Sequence, residues 1–218
     1  MTELAQLLKT SAARHSHLCP RQVLGVRIGL AGVAALGLDV PRCDTRASGP
    51  SAGKRLLVVL ETDGCLADGV EAATGCTVGH RTLRVEDYGK IAATFVDVKT
   101  GRAVRVAPRL GVRERAYAYA PDEPRHYFAQ LKAYQAMPDH ELLSVELVRL
   151  TTPIETIVSR AGVRVNCEAC GEEIINEREV EREGTLLCRA CAGQAYCQPV
   201  VDAMYVPMWP SRLEMIDA

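Results

Sequence analysis

Cys167-Glu-Ala-Cys170 and Cys188-Arg-Ala-Cys191 set out a C-x2-C-x17-C-x2-C array. Four thiolates close a tetrahedral zinc shell, and each C-x2-C pair lets two sulfurs converge on one ion. Two pairs at this spacing predict a structural zinc held by Cys167, Cys170, Cys188 and Cys191, rather than four reduced core cysteines. Gly171 suits the tight knuckle that turns backbone N–H groups toward sulfur. Gly184 divides the intervening segment into two strands, and Cys191 falls on the first turn of a helix. Between Cys167 and Cys191 stand seven acidic residues and three arginines. Four thiolates around Zn²⁺ leave two further negative charges uncompensated. Affinity for nucleic acid comes mostly from neutralising phosphates, so this module is expected to have a structural or protein-contact role and not to bind DNA or RNA.

A second set of reactive residues lies toward the N-terminus. His15-Ser-His17-Leu-Cys19-Pro20 places an imidazole and a thiol two residues apart, before a helix opened by Pro20. A helix N-terminus favours a thiolate, which suits a nucleophile or a soft metal ligand. Glu61-Thr-Asp-Gly-Cys65-Leu-Ala-Asp68 sets another cysteine just past a buried strand, with Asp68 one helical turn beyond it. Two thiols and an imidazole form an incomplete tetrahedral set, open to water, substrate or a transferred metal. Asp68 is a candidate fourth ligand, or the acceptor that orients His17. The competing reading is that Cys19 and Cys65, with Cys76, are small buried residues. Cys43, Cys76 and Cys197 receive no role.

These groups need a scaffold. The 218 residues carry 26 Lys+Arg against 27 Asp+Glu, 48% hydrophobic and 24% charged. That is ordinary globular usage, which excludes a disordered polyelectrolyte. Leu4, Leu7 and Leu8 mark a first helix ending near Arg14. Val23, Leu24, Ile28, Leu30, Ala31 and Ala34 give a second an apolar stripe. The Gly, Pro and Ser of 42–53 read as a loop. Leu56–Leu60 is a continuous apolar run suited to a strand buried on both faces. A helix over 66–74 stops at Gly75. Residues 83–85, 91–98 and 103–106 read as strands, with a hairpin turn at Lys99-Thr-Gly101. Pro124 opens a helix carrying Tyr127, Phe128, Leu131 and Tyr134, and 143–150 alternates as a strand. Helices and mainly antiparallel strands are segregated, so the fold class is α+β: a core domain over 1–160, the four-cysteine module over 161–196, and a tail over 197–218.

The start lacks the basic and apolar regions of a signal peptide. Val23–Leu38 is interrupted by Arg27 and is shorter than the roughly 20 residues a membrane span needs. A cytoplasmic location without membrane contact is expected. The Gly25/Gly29/Gly32 face and the apolar Met204–Trp209 segment point to a homodimer. From His80 to Arg115 nine Lys/Arg face four carboxylates. Convergence of Arg84, Lys90 and Arg105 near Cys65 would favour an anionic ligand such as a phosphate-bearing cofactor.

His17-Leu-Cys19-Pro20, Gly25-Val-Arg27, Glu61 to Asp68, Thr74-Gly-Cys76-Thr-Val-Gly79 and Asp87-Tyr-Gly89-Lys90 occur in order. With Cys170-Gly171-Glu172 they resemble the FmdE family, named for formylmethanofuran dehydrogenase, over about residues 14 to 196. The resemblance implies an α+β homodimer, a treble-clef zinc finger at the C-terminus, and a core site on His17, Cys19 and Cys65 with Asp68 and Cys76 nearby. Arg21 departs from the glycine usual after Cys-Pro, adding bulk and charge there. The first functional expectation is a metal-binding accessory protein, with structural zinc and a second metal in the core site, handling metal or cofactor for a molybdenum or tungsten oxidoreductase or another protein partner. The alternative is a stand-alone enzyme with Cys19 or Cys65 as nucleophile and His17 as base. A third is a regulatory zinc-finger protein.

Overall fold

Leu56–Leu60 (β1) lies second in a five-stranded sheet, because its apolar run can bury both faces. The sheet order is β2-β1-β3-β4-β5, with Leu83–Val85 (β2), Ala93–Asp97 (β3), Ala103–Pro108 (β4) and Leu143–Val148 (β5). β1 pairs with β2 in parallel and every other pair is antiparallel. The computed structural model describes residues 3–14, 17–38 and 55–198. The loop expected over 42–53, Cys43 and the Met204–Trp209 segment lie outside them.

Across one sheet face, Val58 stands opposite Phe95, and Phe95 opposite Val104. The helix Pro20–Leu36 (α2) packs on this face against β3 and β4, and is flanked by Glu3–Ala12 (α1) and Cys65–Thr74 (α3). α2 is apolar nearly all round, with Val23, Val26, Ile28 and Val33 buried, as a helix enclosed on several sides must be. On the opposite sheet face Leu57, Val96 and Ala103 meet Ile154, Ile157 and Val158 of a short helix, Ile154–Val158 (α7).

The glycines of α2 correct the sequence reading. A Cβ on Gly25 would meet the Leu66 carbonyl at 2.5 Å, and one on Gly29 the Ala73 Cβ at 2.6 Å. A Cβ on Gly32 would strike the Phe95 ring. The glycine face assigned to a second copy is filled from within the protomer by α3 and β3.

Val112–Tyr119 (α4) stands, against expectation, between β4 and the helix His126–Ala136 (α5). α5 buries Ala129, Ala133 and Tyr134, while Tyr127 and Phe128, expected on its apolar face, are partly exposed. Arg27 ties α5 down: its guanidinium donates to the Tyr134 and Met137 carbonyls at 2.8 and 2.7 Å, and to the Asp139 carboxylate at 2.6 Å. Those carbonyls end α5 and have no partner within the helix. Asp139 opens the single turn Asp139–Leu142 (α6).

The chain divides into two compact units, Met1–Val158 and Ser159–Ala218. In the second, Arg164–Asn166 (β6) pairs with Glu173–Ile175 (β7), and Val180–Arg182 (β8) with Thr185–Leu187 (β9). Glu183 and Gly184 join β8 to β9 with φ of 51° and 81°, the two positive values of a two-residue type I′ hairpin. A helical turn, Ala190–Gln194, follows.

Candidate functional site

Cys19 is the N-cap of α2. Its sulfur accepts from the Gln22 N–H at 3.4 Å, and the Gln22 side-chain oxygen accepts from the Cys19 N–H at 2.8 Å. This reciprocal arrangement fixes the cysteine at the head of the helix. Gln22 also donates to the Ser11 carbonyl at 3.1 Å, anchoring α1. Cys65 is the first residue of α3, after Gly64 with φ of 71°. The loop that delivers it is braced by Glu61, whose carboxylate takes both arms of Arg105 at 2.5 and 2.8 Å. The Glu61 carbonyl also accepts from the Tyr88 and Lys90 N–H groups. Arg105 holds the Glu61 carboxyl below its ordinary value.

Cys65 and Cys19 stand on the same cavity wall, close enough for the Cys19 sulfur to act on the Cys65 thiol. Burial, then the Cys19 sulfur, and also the Asp68 charge push the Cys65 thiol up, against the pull of Arg21. The N-terminus of α3 acts in the opposite direction, favouring the thiolate. Cys19, Cys65 and His17 line one cavity of about 800 Å³. Its walls include Leu24 of α2, the turn Pro108–Gly111, Val112 of α4, and Tyr127 and Tyr134 of α5. Tyr127 is raised by burial and by the two cysteines; Tyr134 is pushed up to about 12, mainly by burial. Sequence reasoning missed the whole α4 wall.

Other expected members fall elsewhere. Cys76 is buried, with its sulfur donating to the Leu56 carbonyl at 3.7 Å, and is a core residue away from the cavity. Arg105 is taken up by Glu61, and Arg84 donates to the Leu83 carbonyl. Neither they nor Lys90 line the cavity; Arg21, Arg109 and Arg113 do.

In the second unit, the ligand atoms of Cys167, Cys170, Cys188 and Cys191 lie within 4.8 Å of one another. Among the described residues this is the only set of three or more His, Cys, Asp or Glu side chains so close; His17, Cys19, Cys65 and Asp68 do not form one. A tetrahedral ion with bonds near 2.3 Å needs sulfurs about 3.8 Å apart; Cys170 and Cys188 are separated by 4.0 Å. Backbone N–H groups of Cys188, Cys170 and Ala169 bring Cys167 down to about 6, and the other three cysteines push Cys191 up to about 12. Four thiolates cannot share this space without a cation. Cys197 is exposed and stands outside the cluster. No described helix is long and apolar enough to cross a membrane.

Fold and site define an α+β protein with a cysteine-lined cavity and a separate four-cysteine metal-binding module. The chain belongs to the FmdE family, described as "Molybdenum formylmethanofuran dehydrogenase operon", whose model matches residues 14–157. The cysteine module lies beyond that match. A probable S-adenosyl-L-methionine-binding protein of Archaeoglobus fulgidus is 31% identical over 213 residues, covering 89% of this chain and 55% of the relative. The chain thus spans about half the length of that relative. A tungsten formylmethanofuran dehydrogenase FmdE-like protein from Syntrophus aciditrophicus shares the fold, with a TM-score of 0.54 and 21% identity over 89% of this chain and 95% of that one.

Proposed function

We propose that this chain is a metal-binding accessory protein of the cytoplasm, working as a homodimer with a molybdenum- or tungsten-dependent oxidoreductase. The C-terminal cysteines hold a structural zinc, which orders two hairpins too short to bury a core of their own. Cys19 and Cys65 hold a second metal ion in the core cavity, with His17 and Asp68 as the further ligands or as the groups that orient them. The observation that supports this reading is the convergence of His17, Cys19 and Cys65 on the wall of one cavity. Two soft donors at two helix heads, beside an imidazole, form an open set of the kind that loads and releases a metal or leaves a position for substrate. The partner enzyme is inferred from the family description.

Elemental analysis of the purified chain tests the reading. Two metal equivalents per chain, falling to one in either Cys65→Ser or Cys188→Ser, are expected. One equivalent in the native chain, unchanged in Cys65→Ser, would refute the core metal.

A further inference from the structure

A cavity of about 800 Å³ is far larger than one metal ion fills, and falls in the range of pockets that take small organic ligands, roughly 300–1,000 Å³. Its lining is of two kinds. Leu24, Ile91, Val112 and the two tyrosine rings give an apolar and aromatic wall. Arg21 from the head of α2, Arg109 from the turn before α4 and Arg113 from the first turn of α4 supply three cations against the single carboxylate of Glu114. Elsewhere in this unit Arg14, Arg27, Arg55 and Arg105 each close an ion pair. Among the described residues the three cavity arginines do not, and Arg109 instead donates to the Leu143 carbonyl at 3.1 Å. Cations of one sign lining one concavity raise the local potential for an anion. Guanidinium groups match the paired oxygens of phosphate and carboxylate.

We infer that the cavity binds an organic oxyanion, a phosphate monoester or carboxylate on an apolar or aromatic body, with Arg21, Arg109 and Arg113 receiving the anionic group and the opposite end directed to the Cys19–Cys65 pair. This rests on the reading of that cavity as the functional site, but not on a metal being held there.

Calorimetric titration of the full chain with phenyl phosphate, and separately with benzoate, inorganic phosphate and uncharged benzyl alcohol, tests it. Phenyl phosphate or benzoate is expected to bind about tenfold tighter than either benzyl alcohol or inorganic phosphate, because body and charge both contribute. Arg21→Gln and Arg113→Gln are each expected to weaken binding about fivefold while leaving the metal content of the chain unchanged. Equal affinity for benzyl alcohol, unchanged affinity in both arginine variants, or no binding of either aromatic anion at millimolar concentration would overturn the inference. A native chain that binds these anions but is purified without a core metal would sink the metal reading and leave this inference standing.

Discussion

Gly25 and Gly69 stand back to back where α2 crosses α3. A Cβ on Gly25 would lie 2.9 Å from the Gly69 Cα, and one on Gly69 would lie 2.8 Å from the Gly25 Cα. The two helices therefore touch backbone to backbone. Cys19 lies six residues before Gly25 and Cys65 four before Gly69, about 9 and 6 Å back along each axis. A crossing this close brings the two helix heads to one cavity, which both cysteines line.

Gly25→Ala is expected to cost about 2–3 kcal/mol in urea denaturation, because neither facing backbone can yield without shifting a helix. Bifunctional thiol reagents that bridge Cys19 and Cys65 in the native chain should lose that product in the variant. A stable variant with unaltered bridging would show that their convergence does not depend on the crossing.

Arg27→Met is expected to destabilise the first unit by about 3 kcal/mol, since it strips the donors from the Tyr134 and Met137 carbonyls and leaves Asp139 alone. Hydrogen exchange should accelerate most at the end of α5, which carries Tyr134 of the cavity wall. Uniform acceleration over the whole unit would argue against a local clamp.

Glu61 gives the fold a defined acid sensitivity. Its folded carboxyl is held low by Arg105, so the contribution of this pair is complete above the unfolded value near about 4.3. It is lost as pH falls through the lower folded value. Denaturation midpoints should therefore drop more steeply between about pH 5 and pH 3 in the native chain than in Arg105→Gln. Parallel pH curves would contradict the assignment.

A chelator, or Cys188→Ser, is expected to unfold the module around 167–191 while the α+β unit keeps its own melting transition, because zinc-dependent modules this small fold only with their ion. Far-ultraviolet dichroism and limited proteolysis would show it. Full zinc content in Cys188→Ser would exclude this ligand set.

Much of the fold is legible in the sequence where one residue pattern answers to one cause. Leu56–Leu60 reads as a strand because it is buried on both faces, and the four module cysteines read as a cluster because their spacing leaves few other uses. α4 is not legible, since its inner face is only Val112 and Ala116. The cavity cations differ from those expected for a topological reason. Arg105 belongs to the basic stretch 80–115 expected to converge near Cys65, but strand register sets it opposite Thr94 and its side chain reaches Glu61. The cavity instead takes Arg21, whose charge beside the site the resemblance already marks, together with Arg109 and Arg113, which no sequence pattern links to it. The role of Cys19 as a helix cap is readable from Gln22 three residues on.

Cys19 and Cys65 are proposed to bind a metal ion in the core. X-ray absorption at the metal edge of Cys188→Ser protein, in which the module site is disabled, tests it most directly. The account predicts one retained metal with two sulfur neighbours near about 2.3 Å and the remaining shell of nitrogen or oxygen. A chain that retains no metal, or one whose metal has no sulfur neighbour, would contradict it.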